Sequence, residues 1–274
     1  MKKITLISLL MAHNIFSQTL IPNPPEVSAT SFLLIDAKTK TVITSSEPNQ
    51  STGLASITKI MTSYVVADQI SKGFLTEDTM VDISEECWRM EGSRMFIKEG
   101  TEVSISELLK GVIIQSGNDA SCALAEKIAG SQSAFADLMN NYAEQLGLEN
   151  TNFVNPTGLP DINHYSTAND IAKLSIRLIE DFPDNYALFK EKEYTFNNIR
   201  QLNRNSLLWQ DDSIDGIKTG HTNASGYCLV ASAKRDEMRL IAVTLNSTSE
   251  KTRLQDSRRS VSYTHLRAHE TRPY

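Results

Sequence analysis

The sequence has 274 residues but only three cysteines, Cys87, Cys122 and Cys228, with no C-x-x-C pair among them. That spacing argues against a zinc site. Two of the three could still pair, but the reading adopted is that they are buried small side chains rather than a disulfide framework. Beyond the N-terminus there is no apolar run long enough to span a bilayer. Internal repeats and low-complexity linkers are also missing. Nor is there an excess of positive charge: 27 Lys and Arg stand against 33 Asp and Glu, a net charge of -6. A nucleic-acid binder needs a basic surface to displace counterions, so that class is excluded. An acidic chain can still hold a locally basic cleft.

What is present is ordinary for a globular protein: 40% hydrophobic and 22% charged residues, in a chain long enough to bury a core without disulfide or metal staples. Lys2 and Lys3 precede a short apolar run from Ile4 to Ala12. This reads as an export signal over residues 1–18, cleaved near Ser17 or Gln18, which predicts a periplasmic or cell-envelope protein. Ser31–Ile35 and Thr41–Ser45 are β-prone around a polar turn, a hairpin pattern. A helical pattern starts near Ser56 and runs to about Ser71. Ser104 with Glu107, and Thr167 with Asp170, have cap spacing before further helices. Helices are also predicted over 119–129 and 132–146, and a loop over 155–165. Tyr227–Ala233 and Met238–Leu245 flank a polar turn, a second hairpin. Strands thus lie at both chain ends and helices in the middle. The predicted fold class is α/β, with the terminal strands meeting in one mostly antiparallel sheet.

Three motifs carry chemistry. Ser56-Ile57-Thr58-Lys59 sets a lysine three residues after a serine at a helix start. Side chains three apart share a face, so the amine can lie beside the hydroxyl. The serine is a poor nucleophile until a base takes its proton, and a lysine serves only if burial or nearby charge lowers its pKa. Ser116-Gly117-Asn118 offers a hydroxyl to relay a proton and an amide to bind a substrate carbonyl or orient the lysine. Lys218-Thr219-Gly220, followed by His221, reads as an exposed strand able to pair with an extended peptide, Gly220 letting the substrate backbone come close. Each motif alone is weak: Ser and Lys three apart occur by chance, Ser-Gly-Asn makes ordinary turns, and edge strands often carry a lysine. The signal lies in their combination and order.

With those motifs come Ile60-Met61-Thr62-Ser63-Tyr64, Gln115 to Ala120, Arg200-Gln201-Leu202-Asn203-Arg204-Asn205 and Asp215 to Thr222. Over roughly residues 25–255 the sequence resembles the low-molecular-mass D-alanyl-D-alanine carboxypeptidases, penicillin-binding serine peptidases of β-lactamase/transpeptidase-like fold. The resemblance implies an acyl-enzyme on Ser56, with Lys59 as base and Ser116 as proton relay. It implies that Asn118 binds the substrate amide and that Lys218 keeps Lys59 less protonated. Thr219, Gly220 and His221 would bind substrate, with the Ser56 and His221 N–H groups as oxyanion hole. Arg253 would hold the terminal carboxylate, or else be a solvated surface arginine. Implied partners are peptidoglycan stem peptides and β-lactam antibiotics, with no cofactor and no metal. Membrane contact would come only through a C-terminal anchor not seen in this chain. His164 is read as a surface loop residue, and Trp88 and Trp209 as core or groove wall.

Two features depart from the family. The approach Ser51-Thr52-Gly53-Leu54-Ala55 lacks the proline two before the serine and the upstream arginine that relatives often carry. Residues 262–274 read as a non-native, disordered tail, His265 and His269 having no third ligand nearby. The catalytic domain is then expected to end early, without the helix that covers one sheet face, and to be less stable for it. Rival readings are a serine β-lactamase, a D,D-endopeptidase and a non-catalytic peptidoglycan-binding pseudoenzyme. The first lacks its deacylating glutamate in the 155–165 loop, and the intact motifs argue against the last.

Overall fold

The computed structural model describes residues 25–270, with side chains to residue 263. The predicted export signal lies outside the described residues. The main sheet has five antiparallel strands: β1 (Ser31–Asp36), β2 (Val42–Ser46), β3 (Ile214–Thr222), β4 (Gly226–Arg235) and β5 (Met238–Ser247). Their order is β2-β1-β5-β4-β3, so the two chain ends meet where β1 pairs with β5, Ser31 opposite Leu245. That is the arrangement the terminal strand patterns predict. Between them the chain forms α1 (Lys59–Ser71), α2 (Asn118–Ala129), α3 (Gln132–Gln145) and α4 (Ala168–Asp181). The predicted caps form: Ser104 Oγ accepts from Glu107 N–H, and Thr167 Oγ1 from Asp170 N–H.

Period-two alternation splits the core between the two sheet faces. On β5, Ile241, Val243 and Leu245 join the cluster built by the central helices, while Leu240 and Ala242 join a second cluster on the opposite face. A helix covers that second face, contrary to expectation. This is α5 (Glu250–Glu270), whose Val261 is fully buried and Tyr263 nearly so. Leu254, Ser257 and Val261 recur at helical spacing, and Ser257 Oγ lies 3.0 Å from Thr244 Oγ1 on β5. The helix also runs through residue 262, where a disordered tail was expected to begin.

The cysteines give a second correction. Cys87, on the short helix Glu85–Trp88, is disulfide-bonded to Cys122 on α2, with Cα atoms 5.2 Å apart. Nothing local in the sequence says that residues 35 apart will meet. The same pair accounts for the grouping of these sulfurs with Glu126, so they are not free metal ligands. Closing a loop of this length stabilises a fold by about 4 kcal/mol. Reduction is therefore expected to lower the thermal midpoint by roughly 10 °C. A melt with and without reductant checks this; coincident midpoints would contradict it.

Candidate active site

The first motif is not yet α-helix. Ala55–Thr58 form a 3₁₀ turn, and α1 begins only at Lys59. In 3₁₀ geometry side chains three apart eclipse, which stacks Lys59 over Ser56 more directly than an α-turn would. Ala55, just before the serine, sits at φ +47°, a left-handed conformation that costs an alanine energy and must be held from outside. Gly220 on β3 packs against this turn. A Cβ there would lie 2.9 Å from Leu54 O and 3.1 Å from Ser56 N. The space this glycine opens is thus filled by the chain's own Leu54–Ser56 turn, not left for a substrate backbone as the sequence suggested.

Lys59 is completely buried. Its Nζ lies 3.1 Å from Ser56 Oγ, 2.7 Å from Asn118 Oδ1 and 2.7 Å from the Thr157 carbonyl. Burial pushes its pKa down to about 7, against an opposing pull from Asp119. The three partners then dictate direction. A carbonyl can only accept, and the Asn118 amide nitrogen already donates to Glu91 O at 2.6 Å, so Oδ1 also faces the lysine as acceptor. A neutral amine has two hydrogens for these two acceptors, and its lone pair is left pointing at the Ser56 hydroxyl. That is the geometry of a general base.

The second motif follows a π-helical turn, Gly111–Gln115, which ends with Ser116 at φ +66°. Ser116 Oγ accepts from Lys218 Nζ at 2.9 Å. Lys218 is itself buried, and burial with the nearby Lys59 charge holds it well below the ordinary lysine range. Asp119 anchors the facing loop, accepting from the N–H groups of Met95 at 3.0 Å, Phe96 at 2.9 Å and Ala120 at 2.9 Å. Asn118 N–H donates to Ser93 O in the same loop at 2.7 Å.

The third motif lies on β3, an edge strand with β4 as its one neighbour in the sheet. Its free edge fits the predicted role of pairing with an extended peptide. Ser56, Ser116, Thr219, Gly220, His221 and Arg253 line one cleft, so residues from all three motifs and α5 converge. His221 stacks on Tyr227, ring centroids 4.0 Å apart. Arg253 is no solvated surface residue: it is 6% exposed. It donates to Gly220 O at 3.1 Å and Cys228 O at 3.3 Å, and pairs with Glu250 at 3.0 Å, tying α5 to the third motif.

Other sequence expectations fail here. His164 is buried, 3% exposed, with both ring nitrogens hydrogen-bonded. Trp88 and Trp209 are exposed rather than core residues, and neither lines this cleft. Thr157 and Asp119 were missed as site residues. Thr157 acts through its carbonyl, which no side-chain pattern can betray. Asp119 had a signal, a carboxylate in the first turn of a helix beside the motif.

A family model described as D-alanyl-D-alanine carboxypeptidase matches residues 18–249. The chain is 42% identical over 264 residues to the D-alanyl-D-alanine carboxypeptidase DacA of Escherichia coli. The match covers 94% of this chain and 66% of that protein, so the chain spans just under two thirds of it. Among solved structures, penicillin-binding protein 5 from Haemophilus influenzae superposes with a TM-score of 0.86 at 42% identity, over 88% of this chain and 72% of that one. Penicillin-binding protein D2 from Listeria monocytogenes in the ampicillin-bound form gives 0.81 at 26% identity, over 88% and 99%. The fold is the β-lactamase/transpeptidase-like one that the motif order implied.

Proposed function

The chain belongs to the D-alanyl-D-alanine carboxypeptidase family, and from that premise we propose that it is a serine-type peptidase removing the terminal D-alanine from peptidoglycan stem pentapeptides. The catalytic domain takes in residues 25–255 together with the rest of α5, whose Val261 and Tyr263 are buried in the second core cluster. The observation that carries the reading is the buried lysine: Lys59 Nζ lies 3.1 Å from Ser56 Oγ, with its other partners both acceptors.

The reaction runs in two halves. Ser56 Oγ attacks the carbonyl of the penultimate D-alanine and gives its proton to neutral Lys59. The developing oxyanion is held by the N–H groups of Ser56 and His221. Collapse breaks the peptide bond and the leaving amine takes a proton, for which the Lys218–Ser116 hydrogen bond offers the relay. Water then hydrolyses the ester and frees Ser56. The substrate backbone lies along β3 at Thr219 and His221. Gly220 lets that strand press against the nucleophile turn. Asn118 serves chiefly to orient Lys59, its Oδ1 on the amine and its Nδ2 on Glu91 O. Arg253 and Arg204 line the same cleft as Ser56, and their positive charge draws the substrate's terminal carboxylate.

β-Lactams acylate Ser56 by the same first half. Release is slow, because the 155–165 loop holds no glutamate to act as a separate deacylating base. The substrate locates the work in the cell envelope, in keeping with the predicted export signal. The test is covalent labelling by a fluorescent penicillin, read on a denaturing gel beside Ser56→Ala. The parent is expected to label and the variant not to. A variant that still labels would remove Ser56 from the role.

A further inference from the structure

The carbonyl of Ala55 is held from two sides. Thr58 Oγ1 donates to it at 2.8 Å. Gly158, at φ +83°, makes room for it: a Cβ there would stand 1.8 Å from that oxygen. Behind Thr58 lies His164, its Nε2 2.7 Å from Thr58 Oγ1 and its Nδ1 3.1 Å from Val154 N.

The chemistry fixes every hydrogen in this chain. A backbone N–H can only donate, so His164 Nδ1 is the acceptor nitrogen. Burial pushes the ring's pKa down to about 4, so it is neutral with its single proton on Nε2. Nε2–H therefore donates to Thr58 Oγ1, and the Thr58 hydroxyl gives its one hydrogen to Ala55 O. The order is Val154 N–H to His164, His164 to Thr58, and Thr58 to the Ala55 carbonyl.

That carbonyl belongs to the peptide whose nitrogen is Ser56 N. The peptide is trans, so its C=O and N–H point in opposite directions. Holding the oxygen aims the N–H the other way, toward the β3 side, where the nitrogen faces Gly220. Ala55 is in a left-handed conformation that does not persist unaided.

We infer that His164 and Thr58 are positioning residues for the oxyanion-binding N–H of Ser56, acting through the Ala55 carbonyl. The inference rests on Ser56 being the nucleophile. It assigns the 155–165 loop two tasks: Thr157 O orients the base, and His164 orients the donor for the developing charge.

The test uses Thr58→Val, Thr58→Ser, His164→Asn and His164→Gln. Valine keeps the shape of threonine without its hydroxyl. Asparagine reaches only the Nδ1 position, whereas glutamine can donate from the Nε2 position. Stopped-flow acylation by a penicillin separates non-covalent binding from the covalent step. Infrared spectroscopy of the penicilloyl-enzyme reads the hydrogen bonding of the acyl carbonyl.

Thr58→Val and His164→Asn are expected to slow the covalent step about 10-fold, a partial loss of one oxyanion donor, with non-covalent binding unchanged. Their acyl carbonyl band moves to higher wavenumber. Thr58→Ser and His164→Gln recover most of the rate and the parent band. A parent-like rate and band in Thr58→Val overturn the inference and leave Ser56 untouched. So does an equal loss in His164→Asn and His164→Gln that follows their melting points, which would mean a packing role. Labelling of Ser56→Ala overturns the inference together with the assignment beneath it.

Discussion

Lys59→Ala is expected to acylate with penicillin roughly 10³-fold more slowly than the parent, within the range typical of general bases. The lysine sits in a cage of two obligate acceptors and one hydroxyl, with no solvent contact. No neighbour can take over its proton. Lys218, the other buried amine, is turned to Ser116 and the Thr219 carbonyl. The parent's acylation rate should also follow pH in one direction. The amine works only when neutral, and its pKa is about 7, so the rate climbs as pH rises through that value and levels above it. Lys59→Arg, which stays charged, is expected to be as slow as the alanine variant at every pH. Stopped-flow acylation across pH measures both effects. A flat profile, or an active arginine variant, would take the base role from Lys59.

Gly158→Ala should be the most damaging single methyl group in the molecule. The new Cβ would fall 1.8 Å from Ala55 O and 2.9 Å from Thr58 Oγ1, and the backbone there has φ +83°. Overpacking a rigid site costs about 1–3 kcal/mol, and the left-handed conformation about 1–2 kcal/mol more for a residue with a Cβ. Displacing the Thr58 hydroxyl from the carbonyl loses about another 1 kcal/mol. The sum, about 5 kcal/mol, corresponds to a fall of roughly 15 °C in the thermal midpoint. Penicillin labelling should fail with it, because the methyl pushes on the turn that carries Ser56. A melt and a labelling gel on the same sample check this. A midpoint near the parent's would mean that the loop moves aside at little cost.

The sequence carried most of the frame. Strand alternation at both ends, the two Ser/Thr caps and the polar hairpin turn each act locally, and each formed where its pattern lies. Ser56 and Lys59 were legible because helical spacing alone brings them together. What stayed hidden acts across space or through the main chain. Thr157 contributes a carbonyl, which every residue has. His164 is buried only because the 155–165 loop folds onto α1, and loop composition does not announce that. Cys87 and Cys122 meet because two helices pack together, not because of their spacing in the chain. The covering helix α5 was overlooked because its apolar face is thin, with Leu254 and Val261 among charged neighbours, and buried serines supply much of the contact.

The two buried lysines also couple folding to the proton activity of the medium. In the unfolded chain each amine is solvated and holds its proton up to the ordinary lysine range. In the folded protein both release it at lower pH. Between the two limits, from about 7 to 10.5 for Lys59, unfolding takes protons up. Alkaline conditions therefore favour the native state over this interval, and acid draws the chain toward disorder. The burial that lowers the Lys59 pKa toward neutrality also tilts the stability curve toward high pH. The amine set beside the Ser56 hydroxyl and the folded population of the protein thus share one titration.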